Sequence, residues 1–174
     1  MRKNIKTTKK EIVNYWFNKI DESNLSVDFT EAHERCWRCG YKVPLERCHI
    51  IPDSLGGEDS PENLVLLCKR CHIENPNGFD KDIMWDWIFA YKTSLYDTFW
   101  IDRGIEEYNR IYSVSIEEEI KQRKIYDEQK FKNLIEEEIK KTTYHFGHPY
   151  LNAATIAGVL RISINKYNKD IYIK

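Results

Sequence analysis

The chain places two Cys-x-x-Cys pairs, Cys36–Cys39 and Cys68–Cys71, at the ends of a stretch of roughly thirty residues. Each pair presents two sulfurs from one tight turn. Four thiolates in two such pairs are what a tetrahedral zinc ion requires. An ion bound there clamps both ends of the intervening loop, so its binding energy becomes folding energy. Only one other cysteine, Cys48, is present. A thioredoxin-like redox site calls for one such motif opening a helix beside a run of buried strands, and that pattern is missing. A disulfide framework needs an oxidising compartment. Cys36, Cys39, Cys68 and Cys71 are therefore read as ligands of a structural zinc.

The remaining composition fits one compact domain with helical additions. Hydrophobic residues make up 41% and charged residues 32%, a mix that folds and stays in solution. No apolar run approaches membrane-spanning length. Met1 to Lys10 is basic but leads into an amphipathic segment, not a signal-peptide core, so a cytoplasmic location is expected. The net charge of −1 excludes a protein that is basic all over, but local patches decide phosphate contacts. Arg2, Lys3, Lys6, Lys9 and Lys10 form one such cluster. Arg35, Arg38, Lys42 and Arg47 surround the first knuckle, and Lys69-Arg70 sit in the second. Each cluster alone reads as a solvated surface. Their concentration beside the cysteines tilts the reading towards phosphate binding.

Local patterns place these residues on elements. Thr7 or Thr8 caps a first helix reaching Ile20, with an apolar stripe of Ile12, Val13, Tyr15, Trp16 and Ile20. Asp28 to Glu34 is a short helical turn into the first knuckle. Val43 to Ile50 is a strand, Pro52 to Asn63 a loop, and Leu64 to Leu67 a buried strand delivering Cys68. A helix follows and stops at Asn75-Pro76-Asn77-Gly78. Asp80 to Ser94 is a further helix, with Ile83, Met84, Trp87, Ile88 and Tyr91 on a face that packs against the cysteine unit; base stacking is the less economical explanation of that stripe.

Ser115 to Lys141 reads as one long charged helix, laced by Glu117/Lys121, Glu119/Arg123, Glu136/Lys140 and Glu137/Lys141 at four-residue spacing. Its apolar positions are irregular for a heptad, so it is a packed or partner-binding helix. Thr155 to Ser163, with Gly158 inside, has the outline of a helix-turn-helix front, although an ordinary packed helix explains it as well. His33, His145 and His148 are read as surface or packing histidines.

Cys36-x-x-Cys39, Cys48-His49-Ile50-Ile51-Pro52, Gly56-Gly57, Asn63-Leu64, Leu67-Cys68 and Cys71-His72 together resemble the HNH endonuclease family over residues 36–78. The resemblance implies an α+β fold: a small zinc-stabilised ββα-metal core with flanking helices and a mostly helical C-terminal half. The expected division is an N-terminal helical segment over 1–35, the nuclease core over 36–78 and a helical region over 79–174. By position, His49 is the implied general base, Asn63 steadies the loop and holds His49 in orientation, and His72 binds the catalytic metal. The implied activity is hydrolysis of DNA phosphodiester bonds with magnesium, manganese or a softer divalent ion, leaving 5′-phosphate and 3′-hydroxyl ends. Such hydrolysis needs a deprotonated water in line with the leaving oxygen and a cation to neutralise developing charge. A histidine titrating near neutrality is a suitable proton acceptor.

One position departs from the commonest family pattern. Where many relatives carry Asp or Glu before the catalytic histidine, this chain has Cys48. Hard cations prefer carboxylate oxygen and thiolates suit softer ions. Cys48 then either binds a softer catalytic metal, or yields to a nearby carboxylate (Glu46, Asp53 or Asp80), or is a buried small residue while His72 and water hold the ion. The last two are favoured jointly, since a free cysteine is most often simply buried. The departure leaves room for a nuclease that is slow or dead, and the alternative reading is a non-catalytic zinc-containing nucleic-acid-binding module. A more distant alternative is an assembly protein acting through the long helix. DNA is the expected partner and no membrane is involved. A homodimer formed through the C-terminal helix would make double-strand cutting easier.

Overall fold

The two ends of the central loop meet in an antiparallel hairpin: β1, Leu45–His49, pairs with β2, Leu64–Cys68, in a register that sets Leu45 opposite Cys68 and His49 opposite Leu64. The computed structural model describes residues 5–93, 95–142 and 151–169. Arg2, Lys3, Ser94, His145 and His148 lie outside the described residues. The chain divides into two compact units, Met1–Phe99 and Trp100–Lys174.

In the first unit, α1 (Lys9–Trp16) opens on a reciprocal cap. The Thr8 side chain accepts from the Glu11 N–H while Glu11 accepts from the Thr8 N–H at 2.7 Å. The helix stops at Trp16, short of the expected Ile20, and beyond it the Lys19 N–H closes a tighter, three-residue turn on the Trp16 carbonyl. A 3-10 turn over Phe29–Glu31 leads into the first knuckle, whose Trp37 N–H donates to the Leu66 carbonyl at 3.1 Å. That bond hangs the knuckle on β2, every residue of which is buried. α2 (Lys69–Glu74) begins inside the second knuckle, with the Cys68 sulfur accepting from the Cys71 N–H at its start. β1, β2 and α2 thus form the ββα unit of a small α+β core.

α3 (Lys81–Ala90) is capped by Asp80 and buries Met84 and Ile88. It ends before the expected Ser94, since the Thr93 N–H leaves the helical path to donate to the Ser26 hydroxyl. Ile83, expected on the packed face, is exposed. Trp85 takes its place, its ring 4.6 Å from Trp16, 5.5 Å from Phe89 and 6.5 Å from Trp37. These aromatics are core packing that ties α1, the first knuckle and α3 together.

The second unit contains α4 (Phe99–Tyr112) from Trp100 onward, α5 (Ile116–Gln122), α6 (Glu128–Lys141) and α7 (Ala153–Lys169). The single helix expected over Ser115 to Lys141 is broken in two. Lys124 adopts a left-handed φ of 55°, its N–H donates to the Lys121 carbonyl, and the Ile125 N–H reaches back to Ile120. This paired closure is a Schellman stop, and burial of Ile125 drives it. Asp127 then caps α6 through the Lys130 N–H. Folded back in this way, Phe131, Leu134 and Ile135 pack on a core of Tyr108, Ile116, Leu160, Ile164 and Tyr167.

Residues 155–163 lie inside α7 without a turn, so no helix-turn-helix forms there. Gly158 has open space where a Cβ would be. The close helix approach is instead at Gly104 in α4, where a Cβ would sit 2.2 Å from Ile156.

Candidate active site

The sulfurs of Cys36, Cys39, Cys68 and Cys71 lie within 4.8 Å of one another, and all four residues are buried. Cys39 and Cys68 are 3.9 Å apart. Four sulfurs at tetrahedral corners, each about 2.3 Å from zinc, are about 3.8 Å apart, so the donor set fits that ion. Hydrogen bonds among the crowded thiols, those with Cys36 foremost, push Cys71 far up and Cys68 far down in pKa. A divalent cation is the natural partner for such a set. Among the described residues it is the one tight cluster of three or more metal-ligating side chains.

Above this cluster, β1 ends at His49 and the chain turns through a loop stapled by Asn63. Buried Asn63 accepts from the Ile51 N–H at 2.9 Å and donates to the carbonyls of Ile51 and Glu58, each at 3.0 Å. Its own carbonyl accepts from the Ile50 N–H at 2.8 Å. Three of these bonds set the backbone immediately after His49, and the fourth ties Glu58 to the same amide. Gly57 completes the staple. A Cβ there would lie 1.7 Å from the Ile51 carbonyl oxygen and 2.7 Å from the Asn63 amide nitrogen, a space only glycine leaves open.

His49 lines an open cleft of about 330 Å³ together with Ile5, Asp53, Gly56, Gly57, Glu58 and Asp59. Its pKa is lowered from the ordinary imidazole value. Partial burial is the main cause and the nearby His72 adds to it, while Asp53 and Asp59 oppose it. The imidazole is consequently neutral, and able to take a proton, around neutral pH.

Ile5 forms part of the cleft's lining, and the strap that carries it, Ile5–Thr7, is held by bonds from distant residues. The Asp59 carboxylate accepts from the N–H groups of Lys6 (2.5 Å) and Thr7 (3.2 Å). The Arg47 guanidinium donates to the carbonyls of Ile5 and Thr7, each at 3.0 Å. Contacts forty residues and more apart in sequence leave no local signal.

The family model of the HNH endonucleases matches residues 34–78. Searches of curated proteins and of solved structures found no match. The HNH match spans the first knuckle, the hairpin and α2, and it assigns the segment a nuclease or nucleic-acid-related function. Divalent metal use belongs to the family, and the four-cysteine site fits its zinc.

Within the HNH segment, the residues read from the sequence are distributed as follows. His49 and the glycine pair line the cleft, and buried Asn63 holds its loop. His72, on α2, directs Nδ1 to the Glu46 carboxylate at 2.7 Å. Cys48 is buried to 1% exposure, its thiol pushed up to about 12 by burial and the charges of Cys36 and Glu46. It resembles a small core residue more than a cation ligand. Of the three carboxylates considered in its place, Asp80 is occupied as the α3 cap, Asp53 lines the His49 cleft, and Glu46 pairs with His72.

The basic cluster around the first knuckle is spent on structure. Arg38 is buried, pairs with Glu74 at 2.8 Å and lies over the rings of Trp87, Tyr91 and Phe99. Arg35 pairs with Glu31 and covers Tyr96, Lys42 pairs with Glu34, and Arg47 holds the strap. Lys6, Lys9, Lys10 and Lys69 are exposed. Lys42, although paired, is itself exposed. For Arg38 and Arg47 the partners Glu74, Ile5 and Thr7 are distant in the chain, so charge counting along the sequence does not see them.

Proposed function

We propose that the first unit is an endonuclease that hydrolyses DNA phosphodiester bonds with a divalent metal ion, using His49 as general base. The supporting observation is the His49 cleft itself. A neutral imidazole lines it, on a backbone held by Asn63, with His72 close enough to act on it electrostatically. In this reading His49 takes the proton of a water aligned with the scissile phosphate. Asn63 keeps the ring in place by fixing Ile51, two residues on. His72 is the protein's imidazole donor for the divalent ion, which when bound would supply Lewis acidity to the phosphodiester. Lys6 and Lys69, exposed on the strap and at the start of α2, are cationic positions for the flanking phosphates.

Plasmid cleavage by wild type and His49→Ala, with magnesium, manganese, nickel and zinc in turn, tests this. The expected result is a loss of at least about 10²-fold in His49→Ala, with DNA binding retained. A folded, zinc-loaded wild type that binds DNA and cleaves under none of these conditions would establish the non-catalytic module instead.

A further inference from the structure

The position before His49 holds a buried thiol, and the ion that the nuclease reading requires is left with one obvious protein donor, His72. We infer that Glu46 is the second protein ligand of that divalent ion, displaced by two residues along β1 from the place of Cys48. The inference rests on the nuclease reading and names a residue for its metal site.

Side chains along a strand alternate, so positions two apart share a face. Glu46 and Cys48 therefore project from the same side of β1. Cys48 is enclosed there, whereas Glu46 is about half exposed and reaches α2. Its Oε2 stands 2.7 Å from His72 Nδ1, and both side chains retain access to solvent. Two donors in adjacent positions on an octahedral ion, each about 2.1 Å from it, are about 3 Å apart. The Glu46–His72 pair is thus set at nearly the spacing of neighbouring ligands, with the open side left for water and a phosphate oxygen. Carboxylate plus imidazole is also a donor set that accepts magnesium and manganese, which a thiolate does not favour. The two-residue displacement costs nothing in strand geometry because it preserves the face.

The test is titration of the zinc-loaded full chain with Mn²⁺, followed by the electron paramagnetic resonance signal of the free ion, so that affinity is read without turnover. Wild type, Glu46→Gln, Glu46→Ala, His72→Ala, Asp53→Asn and Cys48→Ala are compared, with near-ultraviolet circular dichroism confirming the fold of each. The expected result is a Kd raised tenfold or more in both Glu46 variants and in His72→Ala, with Asp53→Asn and Cys48→Ala close to wild type. Glu46→Gln keeps a hydrogen-bond acceptor for His72. If it binds Mn²⁺ as wild type does while Glu46→Ala does not, Glu46 only orients the imidazole and the inference falls. It also falls if affinity is lost in Asp53→Asn or Cys48→Ala with both Glu46 variants unaffected. A wild type that binds Mn²⁺ and cleaves DNA, with unchanged affinity in both Glu46 variants, overturns this assignment alone. A wild type that neither binds Mn²⁺ nor cleaves overturns the nuclease reading with it.

Discussion

The Asn63 side-chain amide closes a two-point hydrogen bond on the Ile51 backbone, accepting from its N–H at 2.9 Å and donating to its carbonyl at 3.0 Å. The same amide also holds the Glu58 carbonyl. Substituting Asn63→Ala strands these buried groups, and a loss of about 2–4 kcal/mol in stability is expected. Urea unfolding of the zinc-loaded protein measures it. Cleavage should fall even at denaturant-free equilibrium, because the segment carrying His49 is no longer pinned.

The depressed pKa of His49 has a definite consequence for pH dependence. With the folded-state value below the ordinary 6.5, the basic imidazole persists to lower pH than a free histidine would allow. The acid limb of kcat/KM should therefore have its midpoint below 6.5 at fixed metal concentration. Asp53 opposes the shift, so Asp53→Asn should move the limb further down. A pH profile of each protein decides it, and an acid limb above 6.5 in wild type would contradict the assignment.

Removing one zinc ligand should unfold the first unit. The four sulfurs occupy the junction of the first knuckle, β2 and α2, and binding of a structural zinc is worth about 10–16 kcal/mol in small zinc domains. Cys71→Ser, or strong chelation of wild type, is expected to abolish the near-ultraviolet signal of the tryptophan cluster around Trp37. Metal analysis should return one zinc per wild-type chain.

Gly57→Ala introduces a methyl group 1.7 Å from the Ile51 carbonyl oxygen. The loop must shift to admit it, with a cost of about 1–3 kcal/mol and a loss of cleavage. Gly56→Ala separates two effects: its site is open, but its φ of 88° strains any side chain. Thermal unfolding and cleavage of both variants check the expected order, in which Gly57→Ala is the more damaging to activity.

In the second unit, buried Glu119 accepts from the Tyr108 hydroxyl and pairs with Arg161 at 2.5 Å and Arg123 at 3.2 Å. Glu119→Ala leaves the buried Tyr108 hydroxyl and the partly exposed Arg161 guanidinium without their carboxylate. A destabilisation of about 1–3 kcal/mol is expected, to be read from the far-ultraviolet melting curve. Glu119→Gln, which preserves part of the network, should lose less.

The ββα order was legible in the sequence because it is written in local signals: two short cysteine spacings, a strand over Val43 to Ile50, a glycine pair, and an apolar run feeding Cys68. Helix starts were legible for the same reason, since Thr8, Asp80 and Ser115 cap their own neighbours. Helix ends were not. Ala90 and Gln122 end their helices where the Thr93 N–H finds Ser26 and where Ile125 is buried, which depend on the rest of the fold, and the charge pairs at four-residue spacing lie on either side of the Lys124 break without marking it.

The sequence by itself determined which side chains are present for chemistry and the order in which they arrive, because ligand type and spacing are covalent properties. Tertiary structure alone decided their employment. It buried Cys48, carried Glu46 to His72 across 26 residues of chain, gave Arg38 and Arg47 partners from distant segments, and brought Ile5 to the cleft. Those outcomes turn on which groups lose water and which find a partner when the chain closes, and neither quantity exists until distant segments meet.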